Sequence, residues 1–128
     1  MISLEQVIKI QDILIDKFGG AKGIRDLAQL ESALSRPYQT FGGLELHENQ
    51  FHKAAAIIQS LLINHPFIDG NKRIGYVVMR LILLEKGWEI IATQDEKYSF
   101  VINIASGKME FNEIANWIQS NAIRISNE

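Results

Sequence analysis

Apolar side chains recur along most of this chain at intervals of three and four residues, the period of an α-helix rather than the alternation of a strand. From Leu4 to Phe18 the residues Leu4, Val7, Ile8, Ile10, Leu14, Ile15 and Phe18 share one helical face, and Gly19-Gly20 supplies a left-handed stop. A second, shorter helix is predicted from about Asp26 to Ser35, where Pro37 blocks continuation and restricts Arg36 before it. A third runs from about Asn49 to Asn64 with Phe51, Ala54, Ala55, Ile58, Leu61 and Leu62 inward. The fourth starts near Asn71 or Lys72 and continues to Lys86, with Gly87 as its cap. Its apolar residues between Val77 and Leu84 cover nearly the whole circumference, which predicts that it is the central, most buried helix. Thr93-Gln94-Asp95-Glu96 reads as a capping box for a helix to about Ser106, and Glu110 to Ile123 forms the last, with Phe111, Ile114, Trp117 and Ile118 inward.

The helical period lapses between Arg36 and Asn49. There Tyr38, Thr40, Phe41, Leu44 and Leu46 are spaced around Gly42-Gly43, the pattern of a small β-hairpin. The expected fold is therefore all-α, with about six helices and a hairpin flap near residues 38–47.

Composition narrows the function classes. A length of 128 residues, 47% of them hydrophobic, suits one domain spanning 1–128. A net charge of −2 offers no general attraction for a polyanion, so no direct nucleic-acid partner is expected and any phosphate recognition must be local. The absence of cysteine removes disulfides, thiolate metal sites and a cysteine nucleophile together. No secretory pattern opens the chain, and its longest apolar run is broken by Arg80 and too short to span a bilayer. A cytoplasmic protein without a membrane partner is the expectation.

Candidate chemistry concentrates in the stretch His65-Pro66-Phe67-Ile68-Asp69-Gly70-Asn71-Lys72-Arg73-Ile74-Gly75. A helix start leaves backbone N–H groups without intrahelical partners and carries partial positive charge, so it favours phosphate oxygens. Gly70 lets the backbone approach a phosphate and can take positive φ. Asp69 offers a hard oxygen to Mg²⁺, Asn71 can cap the helix while donating its amide, and Lys72 and Arg73 add a point charge and a planar fork. His65 precedes this cradle as a base for a hydroxyl proton, because an ordinary imidazole is largely neutral near pH 7. Phe67 is read as the apolar anchor of the loop. Singly, each of these residues has a bland reading, and a metal site built on the His65/Asp69 spacing has only His47 and His52 as further histidines.

Jointly, His65, Phe67, Asp69, Gly70 and Asn71 resemble the signature of the Fic/Doc family, which begins His-x-Phe-x-Asp/Glu-Gly-Asn. The resemblance extends to Gly23-Ile24-Arg25-Asp26, to Leu30-Glu31-Ser32-Ala33-Leu34-Ser35-Arg36-Pro37 and to the Lys53-Ala54-Ala55-Ala56 helix, which look like the death-on-curing (Doc) branch. Lys72 stands where the AMP-transferring branch has a second glycine, and Tyr76 where it has its second arginine; both departures point to Doc. What the resemblance implies is a toxin of a toxin–antitoxin system: a protein kinase that turns ATP around and moves its γ-phosphate to a threonine of elongation factor Tu, arresting translation. It makes His65 the general base and Asp69 the Mg²⁺ ligand, with Gly70 and Asn71 lining the anion hole and Lys72 and Arg73 holding phosphates of ATP.

Arg80 is read as a structural ion-pairing residue and Arg25 as a family residue for which a helix-start contact with Glu31 is an equal reading, so neither joins the catalytic set. The self-inhibitory Ser/Thr-x-x-x-Glu-Gly/Asn helix of many Fic enzymes is absent, which makes a separate antitoxin the expected inhibitor, and the flap a candidate edge for an extended target segment. Two alternatives stand beside the kinase: a Fic-type nucleotidyltransferase, because Gly70 keeps the AMP-transfer pattern, and a catalytically silent helical binding module.

Overall fold

A computed structural model describes residues 1–47 and 49–125. In chain order the elements are α1 (Leu4–Phe18), α2 (Leu27–Ser35), a 3₁₀ turn (Arg36–Tyr38), β1 (Thr40–Phe41), β2 (Leu44–Glu45), α3 (Gln50–Asn64), α4 (Asn71–Leu84), β3 (Trp88–Ile90), α5 (Gln94–Ala105), α6 (Phe111–Asn121) and β4 (Ala122–Arg124). The six predicted helices are all present. Their starts follow capping chemistry: Ser3, Asp26, Asn49 and Thr93 each accept a backbone N–H from the first turn. Thr93 and Glu96 complete the expected box, with both bonds made.

The flap forms as two antiparallel residue pairs, Thr40 with Glu45 and Phe41 with Leu44. Gly42 and Gly43 both hold positive φ, 59° and 83°, which a two-residue turn compatible with strand twist requires. Phe41 and Leu44 are 82% and 76% exposed, so the hairpin presents apolar side chains outward.

Burial revises the predicted centre. In α3, Lys53 through Ile58, Ser60, Leu61 and Leu62 are all buried, and this helix meets α2, α4, α5 and α6. In α4, by contrast, Lys72, Arg73 and Arg80 are exposed and Tyr76, Val77 and Leu84 only half-buried. The three consecutive alanines of α3 are narrow enough to be enclosed on every side, whereas the apolar circumference of α4 is interrupted by cations that must reach water. The helices cross closely at Gly75, where an added Cβ would overlap Leu62 Cδ1.

The pattern did not reveal the second sheet. β3 pairs antiparallel with β4, Trp88 opposite Arg124 and Ile90 opposite Ala122, so the chain leaves α6 at Asn121 instead of continuing helically to Ile123. Three-residue strands are too short for alternation to register against a helical period. The first helix also ends differently from expectation: Gly19 has φ 87° with ψ 171°, a positive-φ conformation outside the left-handed helical well that glycine alone adopts readily, although its N–H still closes on Ile15 at 2.8 Å.

Candidate functional site

The predicted loop is formed where α3 delivers the chain to α4. His65 caps α3 in the left-handed conformation, φ 47° and ψ 57°, and is the one non-glycine with positive φ among the described residues. That conformation is disfavoured for an L-residue, so surrounding contacts must hold it. Arg25 supplies them: its guanidinium donates from Nε to the His65 carbonyl and from Nη2 to the Asn64 carbonyl, each at 2.6 Å. These are carbonyls that a helix end leaves without intrahelical donors. Arg25 therefore does not reach for Glu31; it clamps the helix end that carries the histidine.

The neighbouring backbone completes the clasp. Pro66 O accepts the N–H groups of Arg25 and Asp26 at 2.8 and 3.0 Å, Ile68 N–H donates to Gly23 O at 3.0 Å, and Ile24 bridges Phe67 in antiparallel fashion. Phe67 is 1% exposed and anchors the loop in the core, as its apolar character suggested.

Asn71 holds the loop from inside. Its Oδ1 accepts from Phe67 N–H and its Nδ2 donates to Phe67 O, both at 3.0 Å and both buried. The cap of α4 is Gly70, without any side-chain cap bond, so Asn71 does not cap the helix and instead spends its carbonyl and one amide N–H on holding Phe67. Gly70 adopts φ 83°, ψ 10°, and no side chain caps the first N–H groups of α4.

Asp69 is exposed beside this helix start. Its Oδ2 accepts the Ala21 N–H at 2.7 Å, and its Oδ1 has no partner among the described residues. His65, Asp69, Gly70, Asn71, Lys72 and Arg73 all line one cleft of about 980 Å³. The tertiary structure thus brings every predicted site residue to a common space. The Arg73 guanidinium rests over the Phe18 ring, 4.4 Å from its centroid, at the edge of that cleft.

Other walls were not visible beforehand. Phe18, expected to face inward, is 50% exposed and contributes its ring to the cleft. Opposite it α5 presents Lys97 and Tyr98, and Lys97 Nζ lies 6.0 Å from the ring of Tyr76. Burial, then the negative charge of Glu89, raises the Tyr76 hydroxyl above the usual tyrosine range, so it remains a neutral donor. A helical stripe does not reveal which distant helix will face a loop; behind the cleft, not on its wall, Gln11 left a signal as a polar residue on the inward stripe of α1.

Arg80 stays outside the cleft. It makes a forked pair with Glu89 on β3, Nε donating at 2.8 and 3.1 Å and Nη2 at 2.5 Å. The hydrogen bond from Arg80 is the main cause that lowers the Glu89 carboxyl below its ordinary value. This is the structural ion pair expected for it. No group of three or more His, Cys, Asp or Glu side chains that could hold a metal is present among the described residues, and none of their helices is long and apolar enough to cross a membrane.

Comparison with known proteins follows the same division of the chain. A toxin Doc of Mycolicibacterium smegmatis is 37% identical over 78 residues, 61% of this chain and 60% of the toxin, so the match covers less than two thirds of that protein's length. The protein kinase doc of Escherichia phage P1 is 25% identical over 118 residues, 92% of each chain. The family description "Fic/DOC family" matches residues 1–83, which contain α1 to α3, the whole clasped loop and nearly all of α4, and the chain belongs to that family.

Proposed function

We propose that this protein is a Doc-like toxin that phosphorylates a protein hydroxyl with the γ-phosphate of ATP. The observation that carries the reading is the convergence of His65, Asp69, Lys72 and Arg73 on one cleft at the uncapped start of α4. The relatives named as a toxin and as a protein kinase support it.

Each side chain then has a physical task. The His65 imidazole, which makes no hydrogen bond to a described residue, takes the proton of the target hydroxyl as its oxygen bonds to the γ-phosphorus and the bond to ADP breaks. The unshared Oδ1 of Asp69 is a fitting hard ligand for Mg²⁺. When bound there, Mg²⁺ neutralises phosphate charge. Gly70 and the backbone N–H of Asn71 line the anion hole, while Lys72 and Arg73 grip phosphate oxygens. Asn71 acts through the loop geometry that its side chain secures.

The direction of ATP rests on Lys72 and Tyr76. A lysine at the mouth of the helix start fills space that a close-approaching α-phosphate needs, and a half-buried tyrosine cannot replace a γ-phosphate-gripping arginine. The resemblance to Doc nominates a threonine of elongation factor Tu as the target and a cognate antitoxin as the inhibitor.

Incubation with elongation factor Tu and ATP labelled at the γ- or the α-phosphate tests the proposal. Label from the γ position alone, with a mass gain of one phosphoryl group, is expected. Label from the α position would instead establish the nucleotidyltransferase reading, which Gly70 motivates by keeping the AMP-transfer pattern. His65→Ala should slow transfer by about 10²–10⁴-fold.

A further inference from the structure

Gln11 occupies a position that the helical stripe of α1 reserves for an apolar residue, between Val7 and Ile15 on the buried face. It is 1% exposed. A buried amide is stable only when its donors and acceptor are used. Here all its recorded bonds go to the backbone of two loops. Nε2 donates to Ala21 O and to Asp69 O, each at 3.2 Å, and Oε1 accepts from Gly23 N–H at 3.3 Å.

Both loops meet at the Asp69 carboxylate. The loop of residues 19–23 turns back so that the Ala21 N–H reaches Asp69 Oδ2 at 2.7 Å. Gly20 passes so near that a Cβ there would stand 3.2 Å from Asp69 Cβ and 3.1 Å from Ile15 Cδ1, and its φ of +112° is one that side-chain-bearing residues rarely adopt. One carboxylate oxygen is thereby held, and the other has no partner among the described residues.

We propose that Gln11, acting through the 19–23 loop, is a positioning residue for Asp69. It joins that loop to the Asp69 backbone, so that the Ala21 N–H orients the carboxylate and leaves Oδ1 for the divalent cation. The inference rests on the reading of Asp69 as the Mg²⁺ ligand. Groups that orient metal ligands from behind typically change metal affinity by about 10–100-fold when removed.

Calorimetric binding of a β,γ-imido analogue of ATP, once with saturating Mn²⁺ and once with EDTA, isolates the metal's share as the ratio of the two affinities. Gln11→Met keeps the length of the side chain and removes its hydrogen bonds. Gly20→Ala forces the same loop away from Asp69 Cβ and Ile15 Cδ1 without touching Gln11, so it still decides the matter if Gln11→Met does not fold. Both variants should lower the ratio by about 10–100-fold while affinity in EDTA stays at the wild-type value, and Asp69→Ala should do the same. A wild-type ratio in Gln11→Met and Gly20→Ala, with the ratio lost in Asp69→Ala, overturns the positioning role alone. Equal weakening with and without Mn²⁺ also overturns it, because that is the mark of general loosening. A ratio unchanged in all three variants overturns the metal reading of Asp69 together with the inference.

Discussion

Replacing Arg25 by alanine removes the clamp on the end of α3 without touching the cleft. Two hydrogen bonds disappear, to the carbonyls of Asn64 and His65, each 2.6 Å long. Bonds from a charged donor contribute about 1.5–3 kcal/mol each when shielded from water. Arg25 is exposed, and both carbonyls can turn to water once the guanidinium is gone, so the pair together contributes about 1–2 kcal/mol. That is the same size as the penalty of about 1–2 kcal/mol for holding a non-glycine residue in the left-handed region. The clamp thus offsets the strain at His65, and in the alanine variant that strain stays uncompensated, because the backbone bonds of Pro66 and Ile68 still hold the turn while the imidazole is positioned less firmly.

Urea denaturation should show stability lowered by about 1–2 kcal/mol at unchanged m-value, and the melting temperature should fall by about 3–8 °C. Transfer should slow by about 10²-fold, since a base misplaced by an ångström loses that much. Arg25→Lys can reach one carbonyl but cannot fork across two, so it should recover at most half of the stability. A stability change under about 0.3 kcal/mol for Arg25→Ala, with transfer at the wild-type rate, would refute the clamp.

Gly75→Ala should destabilise the fold by about 1–3 kcal/mol in thermal unfolding, because overpacking against Leu62 outweighs a helix-propensity gain of about 1 kcal/mol. His47 is buried, its Nε2 has no partner among the described residues, and burial first, then the charges of Arg36, His52 and Lys53, push its pKa below the ordinary imidazole value. The unfolded chain thus binds this proton more readily, so its contribution is present above about pH 6.5 and declines as pH falls toward the folded value; unfolding of His47→Leu should be less sensitive to pH below that point. Arg80→Met breaks a partly exposed ion pair outside the cleft and should change stability by no more than about 1 kcal/mol, with transfer unchanged in a steady-state assay.

Local physics made much of this protein legible in advance. The helical period of its apolar residues, the capping chemistry of Asp26, Asn49 and Thr93, and the adjacent glycines of the flap act over a few residues, so they specify six helices and a hairpin without knowledge of the partners. The run from His65 to Arg73 is likewise contiguous, which is why its family resemblance and its residues could be read directly. Tertiary structure decided what lies between distant segments. It turned Arg25 toward the end of α3, drew Asn71 inward onto Phe67, tied Gln11 and Ala21 to Asp69, brought α5 over Tyr76, and paired β3 with β4. Each of these depends on a polar group finding a donor or acceptor brought close by the packing of the helices. Side-chain periodicity records which face is buried, but carries no information about what is buried against it.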